Sequence, residues 1–121
     1  MKKEDYALSM KLDLTSLTNV PEGRGPTFVF MLMIVQMVQA WGDQNVGGDM
    51  KQQKVFHRIR EKIDQAMTVK EEVIVLNKEE FDFLDKCSNE AKLSFAANEA
   101  LIRVRRLIEE AAKEQKERAN G

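Results

Sequence analysis

The chain has 121 residues, enough for one domain with a modest core. Hydrophobic residues make up 43% and charged residues 32%, which is typical of a folded globular protein and excludes a disordered one. The formal net charge of −1 argues against whole-surface attraction to nucleic acid or acidic lipid, although a local basic patch stays open. A single cysteine, Cys87, excludes an intrachain disulfide, and the polar start MKKEDYALSM lacks the apolar core of a signal peptide. We therefore expect one cytoplasmic domain over residues 1–121.

The first predicted element is a strand from Ala7 to Leu14. Apolar residues alternate there, with Leu8, Met10, Leu12 and Leu14 on one face, which is typical of a half-buried strand. The following segment, TSLTNVPEGRGP, is dense in turn residues and predicts a loop.

An almost wholly apolar run follows from Phe28 to Ala40. A strand competes with a helix here, but the length favours a helix, with Thr27 as its N-cap. A membrane crossing needs about 20 apolar residues, and this run is shorter and contains Gln36 and Gln39. We therefore expect no membrane span but a helix that is buried nearly all round.

Three further elements are predicted between residues 49 and 90. Asp49 is the expected N-cap of a helix in which Val55, Ile59, Ile63 and Met67 recur every four residues. KEEVIVLN then predicts a second strand. Asn77 and Glu80 have the spacing of a capping box at the start of a short helix, which carries Cys87 inward.

The last predicted helix runs from about Ser94 to Arg118. Its apolar stripe contains Phe95, Leu101, Ile102, Ile108 and Ala112, whereas residues 113–121 form a polar tail that we expect to fray. The predicted fold class is thus α+β: mostly helical, with about four helices and a minor two-stranded β element.

The turn PEGRGPT, over residues 21–27, is one candidate site. Backbone amides of Gly23 and Gly25 at a helix N-terminus, with Arg24 as a counter-charge, predict a site for a small anion or nucleotide. The turn lacks the lysine and spacing of a phosphate-binding loop, and a plain strand-to-helix turn is the alternative.

The basic residues of the second helix are another candidate. Lys51, Lys54, Arg58 and Lys62 form a stripe able to meet the phosphates of a nucleic acid. Glu61 and Asp64 interrupt its surroundings, and no aromatic residue is interleaved for base stacking, so an ordinary solvated face is the alternative.

Catalysis finds little support in the sequence. His57 and Cys87 are the only histidine and cysteine, and neither lies in a motif for an activated nucleophile or a metal ligand set. We expect a protein that is not an enzyme and that has no catalytic residues, no metal and no cofactor.

The apolar run is the candidate interface. A small domain has few internal faces to cover such a helix, so we expect a homo-oligomer formed through it. The predicted interface residues are Phe28, Phe30, Met31, Ile34, Met37 and Trp41.

The order of segments resembles small proteins of tailed-phage genomes. The likeness lies in a short N-terminal strand and turn, a helix, a second helix patterned like KQQKVFHRIREKID, the segment VIVLNKEEFDFLDK and a C-terminal helix. The resemblance assigns no function to any particular residue of this chain. It implies a viral accessory or assembly protein, or one that binds a host factor.

Overall fold

The computed structural model describes residues 2–17, 20–45 and 49–121. Within these ranges the chain forms four helices and two strands, so the predicted α+β class, mostly helical, is confirmed. In chain order the elements are β1 (Tyr6–Ser9), α1 (Pro26–Gln44), α2 (Met50–Thr68), β2 (Val73–Leu76), α3 (Lys78–Glu90) and α4 (Phe95–Asn120).

The two strands pair antiparallel, with Tyr6 opposite Leu76 and Ser9 opposite Val73. β1 is shorter than the alternating pattern predicts, because regular pairing ends at Ser9. Met10 still donates a backbone hydrogen bond of 2.7 Å to the carbonyl of Glu72. The alternation beyond β1 therefore reflects burial in the core and not a longer strand.

Helix α1 begins at Pro26, and its N-cap is Gly25, which has an extended backbone and no side chain to accept from the first-turn N–H groups. The prediction that Thr27 is the N-cap is wrong, since Thr27 lies inside the first turn. Proline at the first helical position explains the shift, because its fixed φ suits a helix and its missing N–H would have had no partner there.

Helices α2 and α3 begin where their caps predict. The Asp49 side chain accepts from the backbone N–H of Gln52 at 2.8 Å, and the Gln52 side chain accepts from Asp49 at 2.9 Å. Asn77 and Glu80 make the same reciprocal pair, at 2.9 and 3.0 Å. Both predicted caps are confirmed, and each satisfies backbone donors that have no partner within the helix.

One core joins all six elements. Helix α1 packs against α2, α3 and α4, while α4 also lies along β1. Large side chains that are fully buried include Leu8, Phe30, Met37, Ile59, Leu84 and Ile108. The chain therefore covers its most apolar helix by itself.

The C-terminal segment is helical and contacts the start of the chain. Helix α4 continues to Asn120, Gln115 donates to the carbonyl of Lys3 at 3.1 Å, and Arg118 donates to the carbonyl of Asp5. The fraying of residues 113–121 stays a prediction, against which stand these two long side chains bound to backbone acceptors just before β1.

In the part of the chain that the structure describes, none of the helices combines the length and apolarity required to cross a membrane.

Candidate functional site: an aromatic pocket and an exposed phenylalanine

Four of the six predicted interface residues lie inside the subunit. Phe30, Ile34, Met37 and Trp41 are each at most 3% exposed, because α1 packs against the three other helices. Phe28 and Met31 are half-buried. The premise that α1 has too few internal faces to cover it is therefore wrong. An interface through α1 would reach only two of the six side chains.

A pocket opens between the C-terminal end of α1, the start of α2 and α3. Its inner wall is formed by Val38, Trp41, Phe56 and Phe83, and its volume is about 230 Å³. The rings of Trp41 and Phe83 meet edge-to-face, with centroids 5.7 Å apart. We call these four residues the aromatic pocket. Small, mostly apolar concavities of this kind accept apolar groups.

The rim of the aromatic pocket is polar. Gln39, Asp43, Gln52 and Gln53 surround the opening. The indole N–H of Trp41 donates a hydrogen bond to the Glu90 carboxylate at 3.2 Å. The indole orientation is thus fixed by a hydrogen bond as well as by packing.

Phe95, the first residue of α4, is 98% exposed. The sequence prediction that Phe95 and Ile102 point inward is wrong. The buried stripe of α4 contains Ala100, Leu101, Val104, Ile108 and Ala111 instead. Phenylalanine is usually buried, so a fully exposed ring is more informative than scattered smaller apolar residues.

Phe95 and the aromatic pocket lie at the same end of the molecule. The Gln44 side chain donates to the carbonyl of Lys92 and accepts from the N–H of Lys92, both at 3.1 Å. Gln44 is the last residue of α1, and Lys92 precedes Phe95 by three residues. The turn before α4 is therefore fastened to the helix end that forms the pocket.

The basic stripe of α2 is largely neutralised by the first turn of α3. Lys51 lies 3.7 Å from a Glu79 carboxylate oxygen, and Arg58 contacts the same carboxylate at 2.5 Å. Arg58 also reaches Glu80 at 3.3 Å, and Lys62 reaches Glu80 at 2.5 Å. Of the four predicted cations, only Lys54 has no acidic partner among the described residues. Sequence reasoning missed this contact because Glu79 and Glu80 are distant along the chain.

Glu80 is the acidic centre of that contact and is only 1% exposed. Burial by itself would raise its pKa. The hydrogen bond from Lys62, with those from the Asn77 backbone and Arg58, lowers the pKa below its ordinary value. The carboxylate is thus charged at neutral pH and joins α2 to α3.

The turn that contains Gly23, Arg24 and Gly25 forms an open surface, since all three residues are exposed. Gly23 has a φ of 75°, a left-handed conformation that favours glycine. The Arg24 guanidinium lies over the Phe28 ring, 4.6 Å from its centroid. Backbone geometry and a cation–π contact account for these residues, and the anion site stays a prediction.

The structure keeps His57 and Cys87 apart. The His57 ring is exposed and lies 2.9 Å from a Glu61 oxygen, whereas Cys87 is fully buried. Burial, followed by the charge of Glu90, raises the pKa of the Cys87 thiol to about 12. That thiol is protonated at neutral pH and packs as a small apolar group. Across the described ranges, no group of three or more metal-ligating side chains comes together.

A second apolar surface lies on the sheet and has no counterpart in the sequence predictions. Val69, Val73 and Val75, which we call the valine patch, are 57%, 46% and 42% exposed. They line a groove of about 360 Å³ between α2 and β2. Lys62 donates to the carbonyl of Val75 at 3.0 Å and covers part of this edge. The valine patch is therefore a weaker candidate for an interface than Phe95, because its side chains are smaller and Lys62 covers part of the strand.

No protein-family model, no curated protein and no solved structure matches this chain.

Proposed function

We propose that this protein is a non-enzymatic interaction protein that works as a homo-oligomer. The observation that supports this proposal most strongly is the exposure of Phe95, which is 98% accessible to solvent. Phe95 lies at the same end of the molecule as the aromatic pocket. Exposed aromatic side chains are costly in water and are enriched where proteins associate. The surface at the start of α4 thus replaces the apolar helix α1 as the contact region.

The proposal includes no chemical step. The one thiol is buried and protonated, and the one histidine is exposed, 2.9 Å from a Glu61 oxygen. From the resemblance to tailed-phage proteins, we further propose that the oligomer acts as a viral accessory or assembly protein, or by binding a host factor. In each of these settings the chain acts by binding.

Size-exclusion chromatography with light scattering tests the proposal. The mass of the chain is 13.9 kDa, and we expect a particle of at least twice that mass at micromolar concentration. A particle of single-chain mass over the whole range from about 1 to about 200 µM would contradict the proposal.

A further inference from the structure

We infer that two copies of this chain form a symmetric dimer in which Phe95 of each copy fills the aromatic pocket of the other. This inference rests on the proposed function and names its partner, a second copy. It is carried by the fit between one exposed side chain and one open pocket, by their shared location and by the charges around them.

The pocket has the size and chemistry that a phenylalanine ring requires. An apolar cavity of about 150 Å³ is enough to hold benzene, and the aromatic pocket measures about 230 Å³. Trp41 and Phe83 line the pocket, are 3% and 8% exposed, and pack edge-to-face, so a ring in the pocket would extend an existing aromatic cluster. Side chains that anchor protein interfaces are commonly aromatic and insert into such pockets near the interface centre.

Phe95 and the aromatic pocket lie close enough to each other for a symmetric dimer. In a two-fold dimer, a contact from residue A to residue B is repeated from B to A, so both parts must lie on one face. The paired hydrogen bonds between Gln44 and Lys92 hold the start of α4 beside the pocket end of α1. This proximity is what a two-fold axis near this end would need in order to let both phenylalanines insert at once.

The charges around the two parts are complementary. Lys92 precedes the exposed ring, and Asp43 lies on the rim of the pocket. Among the described residues, neither the Lys92 ammonium nor the Asp43 carboxylate has an ion-pair partner. Inserting Phe95 into the second copy brings Lys92 toward Asp43 of that copy. The arrangement thus adds an ion pair at the rim of each pocket.

The first experiment compares dimer dissociation constants by sedimentation for wild type, Phe95→Ala and the control Val69→Ala. Because an anchor of this kind is worth at least about 30-fold in affinity, losing two per dimer weakens association by about a thousand-fold. Val69→Ala removes an exposed apolar side chain from the valine patch and should leave the constant unchanged. Circular dichroism checks that both variants fold.

The second experiment exchanges the rim charges. Asp43→Lys and Lys92→Asp should each weaken the dimer about two- to fivefold at low salt, and the double variant should restore it. Tryptophan fluorescence adds a direct signal, since Trp41 is the only tryptophan and lines the pocket. On dilution of wild type, the Trp41 emission maximum should shift to longer wavelength as water replaces the ring in the pocket, and Phe95→Ala should show the monomer emission at every concentration.

The outcomes separate this inference from the proposed function. If wild type is an oligomer and Phe95→Ala associates equally well, the contact assigned here is wrong and the proposed function stands. If Val69→Ala dissociates instead, the valine patch is the interface. If wild type is a monomer throughout, both proposals are wrong and the pocket is left to another ligand.

Discussion

Replacing Glu80 by glutamine tests whether the charge contact between α2 and α3 holds the fold. The buried carboxylate accepts hydrogen bonds from Lys62, Arg58 and the Asn77 backbone. Glutamine keeps the shape and one acceptor oxygen. Its NH₂ group, however, must face one of the cationic donors, so one charged hydrogen bond is lost and another is weakened.

The expected cost follows from the exposure of the partners. A hydrogen bond to a charged group contributes about 1.5–3 kcal/mol, and this range is reduced here because Arg58 and Lys62 are 44% and 38% exposed. We therefore expect a loss of about 2 kcal/mol. For a chain of this length, the entropy of unfolding converts that loss into a decrease in Tm of about 8 °C.

The assay is thermal unfolding followed by circular dichroism, with Glu79→Gln as a matched control. Glu79 is the neighbouring acid in α3 but is 46% exposed, so its replacement should cost less than about 1 kcal/mol. Equal decreases in Tm for the two variants would contradict the role assigned to the buried carboxylate.

The stability difference between wild type and Glu80→Gln should depend on pH, with a sign that follows from the pKa of Glu80. The folded pKa of Glu80 is lowered from 4.5, so its contribution is complete above that value and is lost as pH falls through the folded pKa. The Tm difference between wild type and Glu80→Gln should therefore be largest near about pH 7 and should shrink below about pH 4.5. A difference that stays constant into acid would refute the reasoning.

Three further predictions concern other parts of the molecule. Arg118→Ala removes the hydrogen bond to Asp5 and should lower Tm by about 4–8 °C in calorimetry, whereas a frayed tail predicts no change. Cys87 should react with iodoacetamide near about pH 8 only in denaturant, because its thiol is buried with a pKa of about 12; rapid labelling of the native protein would contradict this. Since Lys51 and Arg58 pair with Glu79, wild type should pass a DNA column unretained at low salt, and retention lost on Lys54→Ala would revive the nucleic-acid hypothesis.

Local sequence signals predicted the helix starts well. The capping pairs at Asp49 and Asn77 depend on residues three apart, and periodic apolar positions in α2 depend on residues four apart. Such signals are complete within one segment, and the structure agrees with them. The start of α1 differed by two residues because two neighbouring features, Pro26 and Thr27, both suit a helix N-terminus.

Part of the site depends on contacts between elements that lie far apart in the chain. The face of α4 that meets α1 and β1 is one such contact, and the predicted stripe wrongly joined Phe95 and Ile102 to residues on that face. The neutralisation of Arg58 depends in the same way on α3 packing beside α2. Helical periodicity was the available signal, since Phe95 lies nine residues, about 2.5 turns, before the buried Val104 and therefore on the opposite face of α4.

Isotope-filtered NMR on an equimolar mixture of labelled and unlabelled copies tests the central claim most directly. The dimer inferred above predicts cross-peaks between the Phe95 ring of one copy and the Trp41 indole of the other. Because Trp41 is the only tryptophan, its signals are unambiguous. A mixture that is dimeric by sedimentation but connects Phe95 to no residue of the aromatic pocket would contradict the account.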